Sequence, residues 1–476
     1  MGASENLGGI SDGQLTVTSS VCRECRKIVP AKVIVRSGRI YFEKHCAEHG
    51  MMTSLIADDA EQYLDSFNFH RKASVPLEFS RNFNGSCPDS CGFCPEHEQH
   101  VCMPVVEITD HCDLACPVCI VKNHQNWHMT IDEFRKILDR LIETEGSIDV
   151  LNLSGGEPTL HPQFRELVDE ILKHREILRA SVSTNGLKLS QDPELLKFLA
   201  ERNVVISLQY DGSDSFSTQR LRGSDTTASK SRLIDQISEI DAPCSLTYTL
   251  TPGVNEKFLG NAIDYLFTRQ NILSLMIQPV SYCGTGSSFE VNGQQKRIFI
   301  PEVMQLVEKH SGKRAFASDF SPLPCSHPAC FSLSFFLNVG SGEYRSIKKF
   351  FEPETYLSII KNRALFGTDP ENFQIIEDAV YQLWSGPCAL TPDSERSLKA
   401  VKTLLKKAQK NSANSSCFNP SAVVNAAERD IKSIFIHGFM DADTFDLSRA
   451  RKCCQVYPLR DGRFMPICVY NVLERS

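Results

Sequence analysis

Short apolar runs alternate with amphipathic segments between residue 104 and about residue 310. The apolar runs have the composition of buried strands, and they read "PVVEIT", "DVLNLS", "RASVST", "NVVISLQY", "CSLTYTL" and "LSLMIQPV". The segments between them, such as "IDEFRKILDRLIE" and "DPELLKFLAER", place apolar residues at helical spacing. Six such units predict an α/β fold with a parallel sheet, either open or curled into a partial barrel. Ligands of such folds bind at the C-terminal ends of the strands.

A small module precedes this region, at residues 21–50. Its segments "AKVIV" and "RIYFEKH" are predicted to be the strands of a β-hairpin, with Ser37 and Gly38 at the turn. A C-x2-C and a C-x2-H flank the hairpin, and this spacing suits one tetrahedral zinc or iron; a metal-free hairpin is the alternative. The four predicted ligands are Cys22, Cys25, Cys46 and His49.

The other segments complete the predicted domain organisation. Residues 1–20 are rich in Gly, Ser and Asp and are expected to form a disordered lead-in. The hairpin module and a linker occupy residues 21–75, and a cysteine-bearing segment follows at residues 76–103. Residues 104–310 form the α/β core. Beyond the core the alternation fades, so residues 311–476 are predicted to form a separate C-terminal α+β extension.

Composition narrows the classes of function. The chain has 476 residues, of which 41% are hydrophobic, so it has enough apolar side chains for a sizeable core. A formal charge of -7 argues against a general nucleic-acid binder, which needs clustered excess Lys and Arg. We find neither a signal peptide nor a run of 18 apolar residues, and therefore expect a cytoplasmic protein.

A lysine-rich segment, "SERSLKAVKTLLKKAQK", lies in the predicted C-terminal extension. It reads as a basic amphipathic helix, which suits peripheral contact with anionic lipid at the inner membrane face. A helix packed on its own domain explains the pattern better. Its apolar face would hold Leu398, Val401, Leu404 and Leu405.

Nineteen cysteines are the most unusual feature of the composition, and ten of them lie at or before Cys119. Clustered thiols in a chain without an export signal indicate metal ligands rather than disulfides. Cys112, Cys116 and Cys119 form a C-x3-C-x2-C directly after the first core strand. Three thiolates on one loop suit an iron–sulfur cluster that keeps one iron open for a ligand. The alternative is a cluster with a remote fourth cysteine that serves only electron transfer.

The second core strand ends in "LNLSGGEPTL". Gly155 and Gly156 allow the backbone to approach a ligand closely, and Glu157 offers a carboxylate to an ammonium group. A Gly-Gly-Glu is weak evidence alone. Its position one strand after the three-cysteine loop makes a substrate site at the open iron the stronger interpretation.

A second C-x3-C-x2-C, "CPDSCGFC", precedes the core. With one further cysteine it would make a closed, auxiliary cluster site. We reject it as the catalytic loop because no strand precedes it and no Gly-Gly-Glu follows at the next strand. The four predicted ligands of this first auxiliary site are Cys87, Cys91, Cys94 and Cys102.

Cysteines of the C-terminal extension could form another four-ligand site if the chain end folds back. The alternative is that they are buried apolar residues. The predicted ligands are Cys325, Cys330, Cys468 and one of Cys453 and Cys454. Cys244 lies in an apolar strand and is expected in the core, whereas Cys283, Cys388 and Cys417 have no assignment.

Residues 104–310 resemble the core of radical S-adenosylmethionine (SAM) enzymes, through "ITDHCDLACPVC" and "SGGEPT". The resemblance implies a partial (βα)6 barrel behind a rubredoxin- or zinc-ribbon-like module. It implies a [4Fe–4S] cluster on Cys112, Cys116 and Cys119, whose open iron is chelated by the methionine part of SAM. Reductive cleavage of SAM would then give a 5′-deoxyadenosyl radical that abstracts hydrogen. By the same resemblance, Gly155, Gly156 and Glu157 hold the SAM amino group, and Ser183, Asn185, Gln209 and Asp211 line the ribose and substrate side.

The motifs "KHCAEHG", "CPDSCGFC", "PLPCSHPAC" and "HGFMDADTFDL" narrow the resemblance to the radical SAM proteins that include tetraether lipid synthase and the class D pterin methylases. The resemblance implies a transferase with one SAM-binding cluster, two auxiliary clusters and one mononuclear iron or zinc. Its electron donor would be reduced ferredoxin or flavodoxin. We expect coupling of lipid alkyl chains, with C-methylation of a pterin by a folate-type donor as the alternative. A non-catalytic iron–sulfur electron carrier and a zinc-ribbon adaptor are the hypotheses from other classes.

Overall fold

The structure is a computed structural model of the chain. It describes residues 11–81, 87–88, 91–122, 126–362, 396, 399–403, 406 and 428–475. Cys388 and Cys417, which have no assigned role, lie outside these ranges, as do Leu398, Leu404 and Leu405 of the lysine-rich segment.

The N-terminal module is a four-stranded antiparallel sheet in the order β1-β2-β3-β4. The predicted hairpin is present as β2 and β3, and a strand flanks it on each side. Residues 13–20, which were expected in a disordered lead-in, form most of β1. They are ordered because β1 pairs with β2 along its length and because Ser20 Oγ donates to the carbonyl oxygen of Phe445 at 2.6 Å. The strands are β1 Gly13–Val21, β2 Ile28–Arg36, β3 Arg39–Cys46 and β4 Gly50–Ala57.

The six predicted core strands are confirmed as parallel neighbours in one sheet. They are β5 Met103–Thr109, β6 Leu151–Gly155, β7 Ala180–Thr184, β8 Val205–Gln209, β9 Cys244–Leu250 and β10 Ile272–Pro279. Both helices predicted by periodicity are present. The first begins with a capping box, in which Thr130 Oγ1 accepts from the Glu133 amide at 3.2 Å and Glu133 accepts in return from the Thr130 amide at 2.8 Å.

The C-terminal segment does not stand apart from the core, because it adds strands to both ends of the same sheet. β14 (Ile431–His437) pairs parallel with β10, and β15 (Gln455–Pro458) pairs parallel with β5. The order is β11-β12-β14-β10-β9-β8-β7-β6-β5-β15-β16, with β13 beside β12. The added strands are β11 Ser321–Pro322, β12 Phe331–Gly340, β13 Glu343–Ser346, β14 Ile431–His437, β15 Gln455–Pro458 and β16 Phe464–Pro466.

Helices pack outside the sheet and bury one apolar face each, and the largest core cluster joins several of them to the core strands. The helices are α1 Ala60–Asp65, α2 Ile131–Glu145, α3 Phe164–Ile171, α4 Leu187–Gln191, α5 Pro193–Glu201, α6 Ser215–Arg222, α7 Thr227–Glu239, α8 Leu259–Thr268, α9 Ile300–His310, α10 Pro353–Ile360, α11 Leu447–Arg451 and α12 Ile467–Val469. Short 3-10 segments lie at Ser66–Phe69, Pro158–Leu160, Glu256–Phe258, Gly284–Ser288, Ala317–Asp319 and Ile347–Phe350, and a π segment at Tyr470–Glu474.

Val401, from the lysine-rich segment, is buried in an apolar cluster with Tyr356 and Leu357. This placement agrees with a helix packed on its own domain. In the described part of the chain, none of the helices meets the length and hydropathy that a membrane span requires.

Candidate active site

The three-cysteine loop lies where β5 ends, at the C-terminal edge of the parallel strands. Cys112, Cys116 and Cys119 all line one cavity of about 450 Å³. The loop is held in a tight turn, since the Cys119 amide donates to the Cys116 carbonyl at 3.1 Å. Burial raises the pKa of the Cys112 thiol to about 12 and also raises that of Cys119. Such thiols lose their protons when a metal replaces them, so the loop fits the three protein ligands of a cubane.

At Gly155 and Gly156 the end of β6 packs closely against the cysteine loop. A Cβ atom on Gly155 would lie 2.0 Å from the Thr109 carbonyl oxygen, and one on Gly156 would lie 2.1 Å from that of His111. The Gly156 and Glu157 amides donate to these same two carbonyls, each at 2.7 Å. Both glycines also line the cavity. The two glycines were predicted to let the backbone come close to a ligand. In the structure they let the end of β6 come close to the backbone of the loop that carries the cysteines.

Glu157 is buried at the wall of this cavity. Its Oε1 accepts from the Thr159 amide at 3.2 Å, from Thr159 Oγ1 at 2.6 Å and from Thr184 Oγ1 at 2.8 Å, and its Oε2 accepts from the Asn185 amide at 2.7 Å. Burial raises the pKa of this carboxyl in spite of the hydrogen bonds. Because a carboxylate has about four lone-pair positions and Oε2 makes one bond here, Oε2 retains capacity for a ligand ammonium.

The other predicted SAM-side residues fall into two groups. Ser183, Asn185 and Gln209 line the cavity, and Asn185 Nδ2 also donates to Asp113 of the cysteine loop at 2.6 Å. Asp211, in contrast, is fully buried and forms a two-point ion pair with Arg222, at 2.6 and 2.9 Å. Its role is therefore to position Arg222, which itself lines the cavity beside Cys116.

Arg222 was not identified from the sequence. Burial opposes ionisation of Asp211, but the Arg222 guanidinium outweighs it and lowers the pKa of that carboxyl. Lys230 lies near this pair with its Nζ buried and without a hydrogen-bond partner among the described residues. Burial lowers the pKa of Lys230 to about 8. The cavity end near the cysteines thus carries one carboxylate and one guanidinium, which match the ammonium and carboxylate of an amino acid.

From this end the cavity passes down the inside of the sheet. Much of its lining is apolar, but the strands also present amides and hydroxyls that hydrogen-bond to one another. Ser181 Oγ donates to Asn152 Oδ1 at 2.7 Å, and the Ser207 and Thr247 hydroxyls lie 3.2 Å apart. One wall is aromatic, where the rings of Phe331 and His437 stack at 3.8 Å. The polar lining residues along the strands are Asn152, Ser154, Ser181, Ser183, Ser207, Gln209, Ser245, Thr247, Ser274, Gln278, Ser433 and Gln455.

The predicted ligands of the N-terminal module converge as expected. The ligand atoms of Cys22, Cys25, Cys46 and His49 lie within 4.8 Å of one another. Cys22 Sγ and Cys46 Sγ are each 3.5 Å from His49 Nδ1, and Cys25 Sγ is 3.8 Å from Cys46 Sγ. A tetrahedral metal with bonds of about 2.3 Å to sulfur and about 2.0 Å to nitrogen requires edges of about 3.5–3.8 Å. The donor set and its geometry fit zinc.

The remaining cysteines group differently from the sequence-based expectation. Cys102 was expected to join Cys87, Cys91 and Cys94, but its thiol interacts with Cys325 and Cys454. Its amide also donates to the Cys454 carbonyl at 3.0 Å, because β5 and β15 start side by side. One buried cluster contains all four of Cys102, Cys325, Cys330 and Cys454.

Cys91 and Cys94 both interact with Cys87. The buried cluster that contains Cys91 also contains Cys468. Cys453 lies near Cys468. Cys244 is buried in β9, as predicted, and Cys283 is buried with its thiol directed at the Ile120 carbonyl, just after the cysteine loop.

Two family models match the chain. Residues 106–266 match the radical SAM superfamily, and residues 14–58 match the HMPTM N-terminal zinc ribbon domain. The 7,8-dihydro-6-hydroxymethylpterin dimethyltransferase of Methanocaldococcus jannaschii is 26% identical over 488 aligned positions, which cover 96% of this chain and 94% of that protein. The GTP 3',8-cyclase of Peptoclostridium acidaminophilum is 28% identical over 33% of this chain and 51% of that protein.

Among solved structures, SuiB of Streptococcus suis with bound S-adenosylmethionine aligns with 44% of this chain and 47% of its own, at 17% identity and a TM-score of 0.37. The superfamily match contains the cysteine loop, Gly155–Glu157 and Arg222, so the residues of the cavity end described above lie within the matched domain. The family implies SAM and a [4Fe–4S] cluster, and the ribbon match implies zinc. The chain is a radical SAM enzyme with an N-terminal zinc ribbon.

Proposed function

We propose that this enzyme transfers a methyl group to a carbon atom of a pterin or of a closely similar small heterocycle. The near full-length similarity to a pterin dimethyltransferase supports this substrate class. Coupling of lipid alkyl chains, our first expectation from the sequence, receives no support from the comparisons. The single structural observation that carries the proposal is the set of amide and hydroxyl side chains that the strands present to the cavity.

An alkyl chain offers no hydrogen bond to these amides and hydroxyls, although the apolar side chains that make up much of the lining suit it. A pterin has donors and acceptors around its edge and two flat faces. The hydroxyls and amides of β6 to β9 suit the edge, and the Phe331–His437 wall suits a face. A cavity of about 450 Å³ is also of the size that small-molecule sites have.

The catalytic end of the cavity would hold the cofactors. Cys112, Cys116 and Cys119 are the proposed cluster ligands, and a bound cluster supplies the electron that cleaves SAM. Glu157 is positioned to accept from the SAM ammonium, and Arg222 to donate to its carboxylate. Ser183, Asn185 and Gln209 are proposed to contact the nucleoside part. Reduced ferredoxin or flavodoxin is the proposed electron donor.

For the auxiliary clusters we propose two ligand sets that each combine the segment before the core with the C-terminal segment. The first consists of Cys102, Cys325, Cys330 and Cys454. The second consists of Cys87, Cys91, Cys94 and either Cys468 or Cys453. Cys102 and Cys454 line the cavity at the end opposite the catalytic loop, so the first of these clusters would border the substrate.

The test is anaerobic incubation of the reconstituted chain with SAM, excess dithionite, 6-hydroxymethyl-7,8-dihydropterin and a methylenetetrahydrofolate-type carbon donor. Dithionite supplies all electrons that the conversion of C–H to C–CH3 consumes. Mass spectrometry should show one or two added methyl groups on the pterin, together with 5′-deoxyadenosine. The Cys116→Ala protein is the control and should form neither product. Formation of 5′-deoxyadenosine that no pterin stimulates would refute the proposed substrate, and absence of 5′-deoxyadenosine would favour an electron carrier.

A further inference from the structure

The end of the cavity opposite the cysteine loop also holds one carboxylate and one guanidinium. Arg179 immediately precedes β7 and Glu428 lies three residues before β14, so both are at the N-terminal ends of parallel strands. They form an ion pair with each other and both line the cavity. Among the described lining residues, the other charged groups are Glu157 and Arg222 at the catalytic end.

The cavity lining next to this ion pair is apolar, and Arg429 Nε lies 3.9 Å from Glu428 Oε1. The side chains of the pair are 5% and 10% exposed, and the cavity lining at the same strand ends comes from Val150, Val205 and Leu273. Burial raises the pKa of Glu428 and lowers that of Arg179, which shows the cost of keeping both charges there. A buried ion pair is often no more stable than apolar residues of the same size. Its presence at a cavity floor therefore favours a role in ligand recognition over a role in stability.

The two groups together are complementary to one edge of a pterin. The 2-amino-4-oxopyrimidine ring presents two neighbouring N–H donors, on the 2-amino group and N3, next to the O4 acceptor. A carboxylate accepts two parallel N–H bonds, as it does from an arginine, and a guanidinium donates to the adjacent carbonyl oxygen. In this arrangement Arg179 keeps another hydrogen bond that holds it in place, since its guanidinium also donates to Asn203 Oδ1 at 3.2 Å.

We propose that Glu428 and Arg179 form the recognition site for the 2-amino-4-oxopyrimidine edge of the substrate, with Glu428 facing the two N–H groups and Arg179 facing O4. This inference rests on the proposed function. Arg179 and Thr184, whose hydroxyl contacts Glu157, are about 17 Å apart at the rise of a β-strand. SAM would therefore lie at the end of the cavity near the cysteine loop, and a pterin would be held by its pyrimidine edge at the opposite end. The second pterin ring would then be directed towards SAM.

The experiment compares two ligands that differ at this edge alone. 6-Hydroxymethylpterin carries the 2-amino donor, whereas 6-hydroxymethyllumazine has a carbonyl acceptor there. Each is titrated by fluorescence into the full-length reconstituted protein, as wild type and as Glu428→Gln. The wild type should bind the pterin about 10- to 150-fold more tightly than the lumazine, the factor expected for a hydrogen bond to a charged group. Glu428→Gln should lose this preference, because a glutamine amide both donates and accepts.

Glu170→Gln is the matched control, since Glu170 on α3 is a largely buried carboxylate in an ion pair with Arg135 of α2, away from the cavity. It should keep the wild-type preference. If the wild type binds the pterin but does not distinguish it from the lumazine, or if Glu428→Gln keeps the preference, the recognition site is wrong and the proposed function survives. If the wild type binds neither ligand, the proposed function falls as well.

Discussion

The carboxylate of Glu157 both connects two strand ends and lines the cavity. Four hydrogen bonds hold it, from Thr159, Thr184 and the Asn185 amide, and these donors lie on two different strand ends. A glutamine of the same shape would turn an NH2 group towards one of these donors. The negative charge of Glu157 is therefore needed for the hydrogen bonds that hold the two strand ends together.

We expect Glu157→Gln to weaken SAM binding by about 10- to 150-fold, since a hydrogen bond to a charged group contributes about 1.5–3 kcal/mol. Titration of SAM followed by the electron paramagnetic resonance signal of the reduced cluster measures the affinity. Iron content should stay unchanged because Glu157 is not a proposed ligand. The exposed Glu166→Gln is the control. Equal affinities of wild type and Glu157→Gln would show that this carboxylate only shapes the turn.

Cys112, Cys116 and Cys119 carry a prediction of their own. Replacement of any of them by Ala should abolish SAM cleavage and remove about four iron atoms per chain, because each thiolate ligates one iron of a single cubane. Iron analysis and 5′-deoxyadenosine assays measure the two effects. Cleavage of SAM by Cys116→Ala would contradict the assignment of the catalytic cluster.

At the scale of elements, the contact between the end of β6 and the cysteine loop fixes the position of that loop. Gly156→Ala would place a Cβ atom 2.1 Å from the His111 carbonyl oxygen, a backbone atom that cannot move without the loop. We expect this variant to lose about one cubane of iron together with SAM cleavage. Gly13→Ala is the matched control, since a Cβ atom there meets nothing within 4 Å. Full iron content and activity in Gly156→Ala would show that the loop can move to accommodate the added methyl group.

The start of β5 beside β15 leads to a prediction about the auxiliary clusters. If Cys102 and Cys325 ligate the same cluster, each Ala variant should lose about four iron atoms, and the double variant should lose no more. Cys102→Ala combined with Cys91→Ala should instead lose about eight. Iron analysis and Mössbauer spectra of the purified proteins measure both. A loss of about eight iron atoms in the Cys102/Cys325 double variant would restore the grouping expected from the sequence.

At the scale of the whole molecule, the C-terminal segment joins the zinc ribbon to the core. The buried Lys44 amine of the ribbon donates to the carbonyls of Ala442 and Asp443, at 2.8 and 2.9 Å. On the other side, Arg297 of the core is ion-paired with Asp441 and Asp443. The motif "HGFMDADTFDL" therefore serves as the contact between three parts of the chain.

The metal of the ribbon should accordingly be structural. Cys22→Ser should lose about one metal ion per chain and unfold at a lower temperature, since metal binding contributes to the folding of such modules. With dithionite as the reductant it should still cleave SAM, because four protein ligands leave no open position on the metal. Metal analysis, thermal unfolding and the 5′-deoxyadenosine assay test this. Complete loss of SAM cleavage in a folded Cys22→Ser protein would refute a structural role.

Local patterns by themselves determined much of this protein. The six core strands, the ribbon hairpin and the C-x3-C-x2-C loop with its Gly-Gly-Glu partner follow from the alternation of apolar residues and from spacings of a few positions. The four metal ligands of the ribbon could also be predicted from the sequence, because its two ligand pairs flank a single hairpin. Contacts within such short stretches depend on backbone geometry that the local sequence dictates.

The tertiary structure alone decided which distant residues meet. It brought Cys102 to Cys325 and Cys454, Asp211 to Arg222 as a positioning pair, and Arg179 to Glu428 across 249 residues. It also placed β14 and β15 at opposite ends of one sheet. No periodicity encodes these contacts, because they depend on how strands far apart in the chain become neighbours. The cavity likewise exists only where those strands face a common interior.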